Sequence, residues 1–176
     1  MELIPETLKK WAILEDRVFS VNDSNINGVK KYISSLKVIK NSIFNLIYQA
    51  ALTRIFSFKS LADIWTSVGE PQNRFNISPF TTYLSYRGIY KSNVNFIRDE
   101  AIVKTFEDVF PKNTLGYAIL HDDFERVVYL SADTSLVSKI ITSFPGREQM
   151  QFTVLSLAAY CGSLRVFKYF YLNTPV

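Results

Sequence analysis

At 176 residues, 48% of them apolar, with 14 Phe and 10 Tyr, the chain has too much to bury to stay disordered. It is long enough for one sizeable core, hiding roughly 70% of the surface its unfolded form exposes. Six glycines and six prolines leave few turn positions and favour long helices, while a net charge of +4 with one His and one Cys excludes multi-histidine metal centres, cysteine-rich zinc spacing and an internal disulfide.

Taken in order, Pro5 and Glu6 suit a first helical turn, and Leu8, Trp11, Ala12, Leu14 or Glu15, and Val18 trace a broad helical stripe ending near Phe19. No basic segment leads into an unbroken apolar run with a small-residue cleavage site, so no secretory signal is expected, and the default address is cytoplasmic, with a nuclear one open. Val21 to Gly28 reads as a loop. Val29 to Lys40 then predicts a helix on Tyr32, Ile33, Leu36 and Ile39, followed by the more apolar Ile43 to Phe58. Asn45, Gln49 and Arg54 interrupt that second run, which is shorter than the ~18 to 20 apolar residues needed to cross a bilayer. It predicts a buried core helix and no membrane partner. Ser60 is placed as the cap of a short helix through Trp65 that stops near Gly69, and Ser78 with Pro79 as a capped start running to Gly88. Residues 89–112 read as irregular apart from a helix over Asp99 to Phe110. Leu136, Ile140 and Ile141 suggest a short helix closed by Pro145 and Gly146, and no hairpin signal stands out anywhere.

The most informative stretch is the last, TVLSLAAYCGSLRVFKYFYLN from Thr153 to Asn173, because NTLGYAILHDDFERVVYLSAD matches it at an offset of 40. Leu115 stands for Leu155, Ala118 for Ala158, Ile119 for Ala159, Asp122 for Gly162, Phe124 for Leu164, Val127 for Phe167 and Leu130 for Phe170. Each copy reads as two short helices meeting at a hinge that needs positive φ, which glycine supplies freely and Asp122 supplies less well. Leu155, Ala158 and Ala159 share one face of the first helix, with Leu164, Phe167 and Phe170 striping the second. Units that cannot hide an apolar face alone are built to stack on one another.

Thr153, Leu155, Ala158, Ala159, Gly162 and the Val166 to Phe170 run resemble the ankyrin repeat consensus, with Val154 where proline is usual and Ser156 where histidine is preferred. The phenylalanine-rich second helix and the upstream TLGYAILHDDFER segment are similar to an ankyrin-like family with a helical N-terminal leader that is expanded in some parasitic protists. The likeness is specific over residues 113–173. It implies an all-α fold: a helical leader over residues 1–110 packed onto an α-solenoid of about two divergent helix-pair repeats over 111–176, with an insertion at 131–152. It brings no catalytic residues.

Signs of chemistry are few. His121 beside Asp122 and Asp123 lacks the spacing of a triad, and Gly28, Gly69, Gly88, Gly116, Gly146 and Gly162 form no phosphate loop. Glu15 with Asp16, Asp99 with Glu100 and Glu107 with Asp108 read as solvated helix faces, and Cys161 as a packing residue in a reduced compartment. The reading is therefore of no enzyme, no cofactor and no metal. Residues 1–112 hold 15 Lys and Arg against 11 Asp and Glu, and residues 113–176 hold five of each, so the whole basic excess lies in the leader. Lys30, Lys31, Lys37 and Lys40 are the nearest thing to a basic patch, with positions 30, 37 and 40 or 41 coming round to a similar side of one helix and Tyr32 nearby, the basis of an alternative reading as a nucleic-acid binder. The preferred expectation is a non-catalytic scaffold for an unknown protein partner. As given, the chain stops just past its last helix, which leads to a further expectation: a sticky face around Leu155, Phe167, Phe170 and Leu172, open to a partner or to self-association.

Overall fold

The computed structural model describes residues 5–36, 39–72, 74–91, 99–132, 140–142 and 150–173. These residues are mostly helical, and the chain divides into two compact units, Met1–Val103 and Lys104–Val176.

The first unit opens with α1 (Glu6–Phe19), where Pro5 presets the entry and Leu14 and Val18 turn inward. The loop after it is held by the Asn22 carboxamide, whose oxygen accepts from the N–H of Ser24 at 2.9 Å and of Asn25 at 3.2 Å. That loop ends sooner than the sequence suggests, because α2 (Ile26–Ser35) already includes Gly28. The single helix expected from Val29 to Lys40 is also corrected. Leu36 leaves helical geometry with ψ 130°, and a new helix, α3 (Lys40–Thr53), starts four residues later. Ile43, Phe44, Ile47, Ala50 and Ala51 bury one broad side of α3, so this apolar run is core, as its interrupted pattern predicts. Among the described residues no helix is long and apolar enough to cross a membrane.

A 3-10 turn, Ile55–Ser57, leads into α4 (Phe58–Val68), which starts earlier than the expected cap at Ser60. Ser60 instead lies buried inside the helix and donates to Asp23 Oδ1 at 3.0 Å, tying α4 to the loop before α2. The helix does stop at Gly69, whose φ of 108° suits no other residue type. α5 (Pro79–Tyr86) begins at Ser78 as the sequence predicts: Ser78 Oγ accepts from the Thr81 N–H, and Thr81 Oγ1 accepts from the Ser78 N–H. These helices close over an aromatic centre. Trp65, fully buried, has the ring centroids of Phe44, Phe75, Phe80 and Tyr90 at 4.6, 5.1, 5.8 and 6.1 Å. The loop ahead of α5 is drawn in by the Tyr90 hydroxyl, which accepts from the Phe75 N–H at 2.8 Å.

α6 (Glu100–Glu107) straddles the division between the units and is capped by Asp99, whose carboxylate accepts from the N–H groups of Ala101 and Ile102. The second unit then holds two helix pairs, α7 (Leu115–Leu120) with α8 (Phe124–Ser131), and α9 (Val154–Cys161) with α10 (Leu164–Asn173). VVYL, strand-like in isolation, is helical within α8.

Between the pairs the structure overturns an expectation. Ile140 and Ile141 are not helical: β1 (Ile140–Thr142) pairs antiparallel with β2 (Met150–Phe152), Ile140 facing Phe152. Three β-branched residues in succession lose side-chain freedom in a helix and fit a pleated ladder, and Phe152 then lies 5.5 Å from the Tyr160 ring of α9. Leu136, Pro145 and Gly146, the rest of the expected helix and its stop, lie outside the described residues.

Candidate interaction surface

The two helix pairs share the same hinge. Asp123 N–H bonds Ala118 O and Ser163 N–H bonds Ala158 O, both at 2.9 Å, and the hinge residues Asp122 and Gly162 both have positive φ, 50° and 72°. The offset of 40 found in the sequence therefore marks real structural equivalents at this point. The helix starts, however, follow an offset of 39. Thr114 accepts from the Tyr117 N–H and Thr153 from the Ser156 N–H, so α9 has one more residue between cap and hinge than α7. Ser156, a departure from the repeat consensus, completes the box by accepting from the Thr153 N–H at 2.9 Å.

That extra residue rotates the buried face. In α9 it consists of Val154, Leu157 and Ala158, matching Leu115, Ala118 and Ile119 of α7. The expected face of Leu155, Ala158 and Ala159 is corrected: Leu155 is half-buried and Ala159 is exposed. In α10 the inward residues are Val166 and Phe170, whereas Leu164 is exposed and Phe167 half-buried.

The pairs lie side by side, α7 against α9 and α8 against α10. Two polar contacts fix this joint. Ser163, 2% exposed, donates its hydroxyl to the Ile119 carbonyl oxygen. Asp122, held in the left-handed conformation, accepts from the Val166 N–H in the first turn of α10 at 3.2 Å. Rings add to the contact: Phe124 meets Tyr169 edge-on at 5.4 Å, and the Arg165 guanidinium lies 5.3 Å from the Phe124 ring centre.

Opposite its buried side, α10 presents Leu164, Phe167, Lys168, Tyr171 and Leu172, spaced i, i+3, i+4, i+7 and i+8 and hence on one face. Leu164, Tyr171 and Leu172 are 59%, 66% and 78% exposed, and Phe167 stacks flat on Tyr171 at 5.9 Å. The sticky face expected around Leu155, Phe167, Phe170 and Leu172 is thus partly corrected: Phe170 is buried, and Leu164 and Tyr171 belong to the open face. Sequence spacing could not choose between the two sides of α10, since Val166 and Phe170 are as regularly spaced as Leu164, Phe167 and Tyr171.

The other singled-out residues are accounted for locally. Asp123 caps α8 by accepting from the Arg126 N–H, Asp122 is engaged across the joint, and the exposed His121 ring lies 4.3 Å from that of Tyr117. Cys161 is half-buried in the last turn of α9. Of the lysines, Lys30 and Lys31 sit on α2 and Lys40 on α3, separate helices, and Lys37 lies outside the described residues. Lys40 Nζ is beside Gly69 at the carbonyl end of α4, where a cation is favoured. Tyr32 has the Arg17 guanidinium 4.2 Å over its ring, and its hydroxyl donates to Lys10 O, so that ring face is already in use.

No protein-family model, curated protein or solved structure matches the chain.

Proposed function

We propose that the second unit is a protein–protein interaction module made of ankyrin-like helix pairs, and that the chain acts as a scaffold with no chemistry of its own. The observation carrying this reading is the open apolar face of α10, Leu164, Phe167, Tyr171 and Leu172, on a helix already anchored by its opposite side. Scattered exposed apolar residues are ordinary, but three of them on one face of a pinned helix, with the half-buried Phe167 among them, form a ready contact area. The anchoring supports the reading too. Ser163 and Asp122 lock α10 onto the neighbouring pair, so the face is held rigid and loses little freedom when a partner lands on it.

The test is affinity capture from the native cell extract with the wild-type chain and with a Tyr171→Ser, Leu172→Ser variant, quantified by mass spectrometry. Proteins enriched by the wild type and lost with the variant are expected. Equal recovery by both baits disproves a partner at this face.

A further inference from the structure

The charge on α10 narrows what fits. Its sequence, LRVFKYFYLN, has no carboxylate, and its two cations differ in position. Arg165 is turned to the Phe124 ring, whereas Lys168 stands amid the open face, flanked along the helix by Leu164, Phe167, Tyr171 and Leu172. Lys168 is exposed and, among the described residues, makes no ion pair. The outer side of α8 is different, mixing Glu125 with Arg126 and Tyr129.

Resting on the reading above, we infer that the outer face of α10 receives an amphipathic helix of another protein whose apolar stripe carries one carboxylate facing Lys168. A second copy docked α10 to α10 is disfavoured by the same residue. Two-fold pairing would bring two Lys168 ammonium groups together in a region being dried, where like charges repel most. A helix is the fitting occupant because the face is straight and carries its apolar side chains at helical spacing, so that knobs at i, i+3 and i+7 meet knobs of the same pitch.

The probe is a fluorescently tagged, stapled helical peptide of about four turns with leucines at i, i+3 and i+7 and one glutamate at i+4, titrated with the full chain. Its twin carries lysine in place of the glutamate. The expected result is that the glutamate peptide binds and the lysine twin binds about fivefold more weakly, a factor that shrinks as salt is raised. Lys168→Glu reverses the preference between the two peptides. Tyr171→Ser weakens both by about tenfold. Equal binding of both peptides to the wild type, no reversal with Lys168→Glu, or no binding at all overturns the inference. So does concentration-dependent dimerisation of the chain that Tyr171→Ser abolishes, which would make a second copy the occupant. Loss of the inference with a captured partner still dependent on Tyr171 and Leu172 would leave the scaffold reading standing, and failure of the capture experiment alone would remove that reading.

Discussion

The carboxylate of Asp122 accepts from the backbone N–H of Val166 at 3.2 Å, so the hinge of one helix pair caps the second helix of the next. One side chain thus does two jobs: it tolerates a φ of 50° and satisfies a donor that α10 cannot satisfy internally. Replacement separates them. Asp122→Ala loses the cap and keeps a Cβ in the left-handed region, and should cost about 1 to 2 kcal/mol. Asp122→Gly loses the cap but relaxes the backbone, and should cost only about half as much. Asp122→Asn, which accepts the bond and tolerates the conformation, stays closest to wild type. Urea unfolding followed by circular dichroism ranks the three, and a ranking with glycine worst would contradict the account.

Ser163 supplies the joint's other bond, its buried hydroxyl donating to Ile119 O. Ser163→Ala should cost about 0.5 to 1.5 kcal/mol, the worth of one buried hydrogen bond, because the Ile119 carbonyl loses this donor but still accepts from the Asp122 N–H at 3.1 Å. Combined with Asp122→Ala the loss should be smaller than the sum of the two, since either change alone loosens the same contact between pairs. Strict additivity in a double-mutant cycle would mean that the two bonds act independently.

Gly116 lies inside α7, where alanine would ordinarily be preferred by about 0.5 to 1 kcal/mol. Here a Cβ would fall 2.8 Å from Phe110 Cε1 and closer still to Cδ1. Overpacking costs about 1 to 3 kcal/mol and should win, making Gly116→Ala destabilising. Phe110→Leu in the same chain should recover part of the loss. A Gly116→Ala chain with a raised melting temperature would show that the ring simply moves aside.

Trp65 is fully buried, and among the described residues its indole N–H has no hydrogen-bond partner. Trp65→Ala should cost about 3 to 5 kcal/mol through the cavity it leaves among Phe44, Phe75, Phe80 and Tyr90. Trp65→Phe keeps a ring there and removes the unmatched donor, whose burial carries a penalty of about 1 to 3 kcal/mol. Its net loss should stay below about 1.5 kcal/mol, measurable by thermal unfolding. Equal losses for the two variants would mean that the indole makes a contact that ring packing does not describe.

Much of the helical framework could be read in advance because local chemistry dictates it: Pro5 at the entry to α1, Ser78 with Pro79 at α5, and the twin hinges at Asp122 and Gly162. What escaped depended on context. The α2–α3 break lacks any glycine or proline, and the periodicity of Ile33, Leu36 and Ile39 runs straight across it. β1 and β2 are each three residues long, too short to announce themselves until they pair. The open face of α10 was visible only as a helix apolar on two sides. Which side turns inward is set by the packing of Val166 and Phe170 against the neighbouring pair, and in α9 the one added residue between cap and hinge shifts the buried face in a way no fixed offset can express.

Both tryptophans, Trp11 on α1 and Trp65 on α4, belong to the first compact unit. Indole emission from this chain therefore originates in that unit alone, whereas the Asp122–Val166 contact lies in the other. Set beside far-ultraviolet ellipticity, which sees helices in both units, it tells in one titration whether the two halves melt in concert or one after the other.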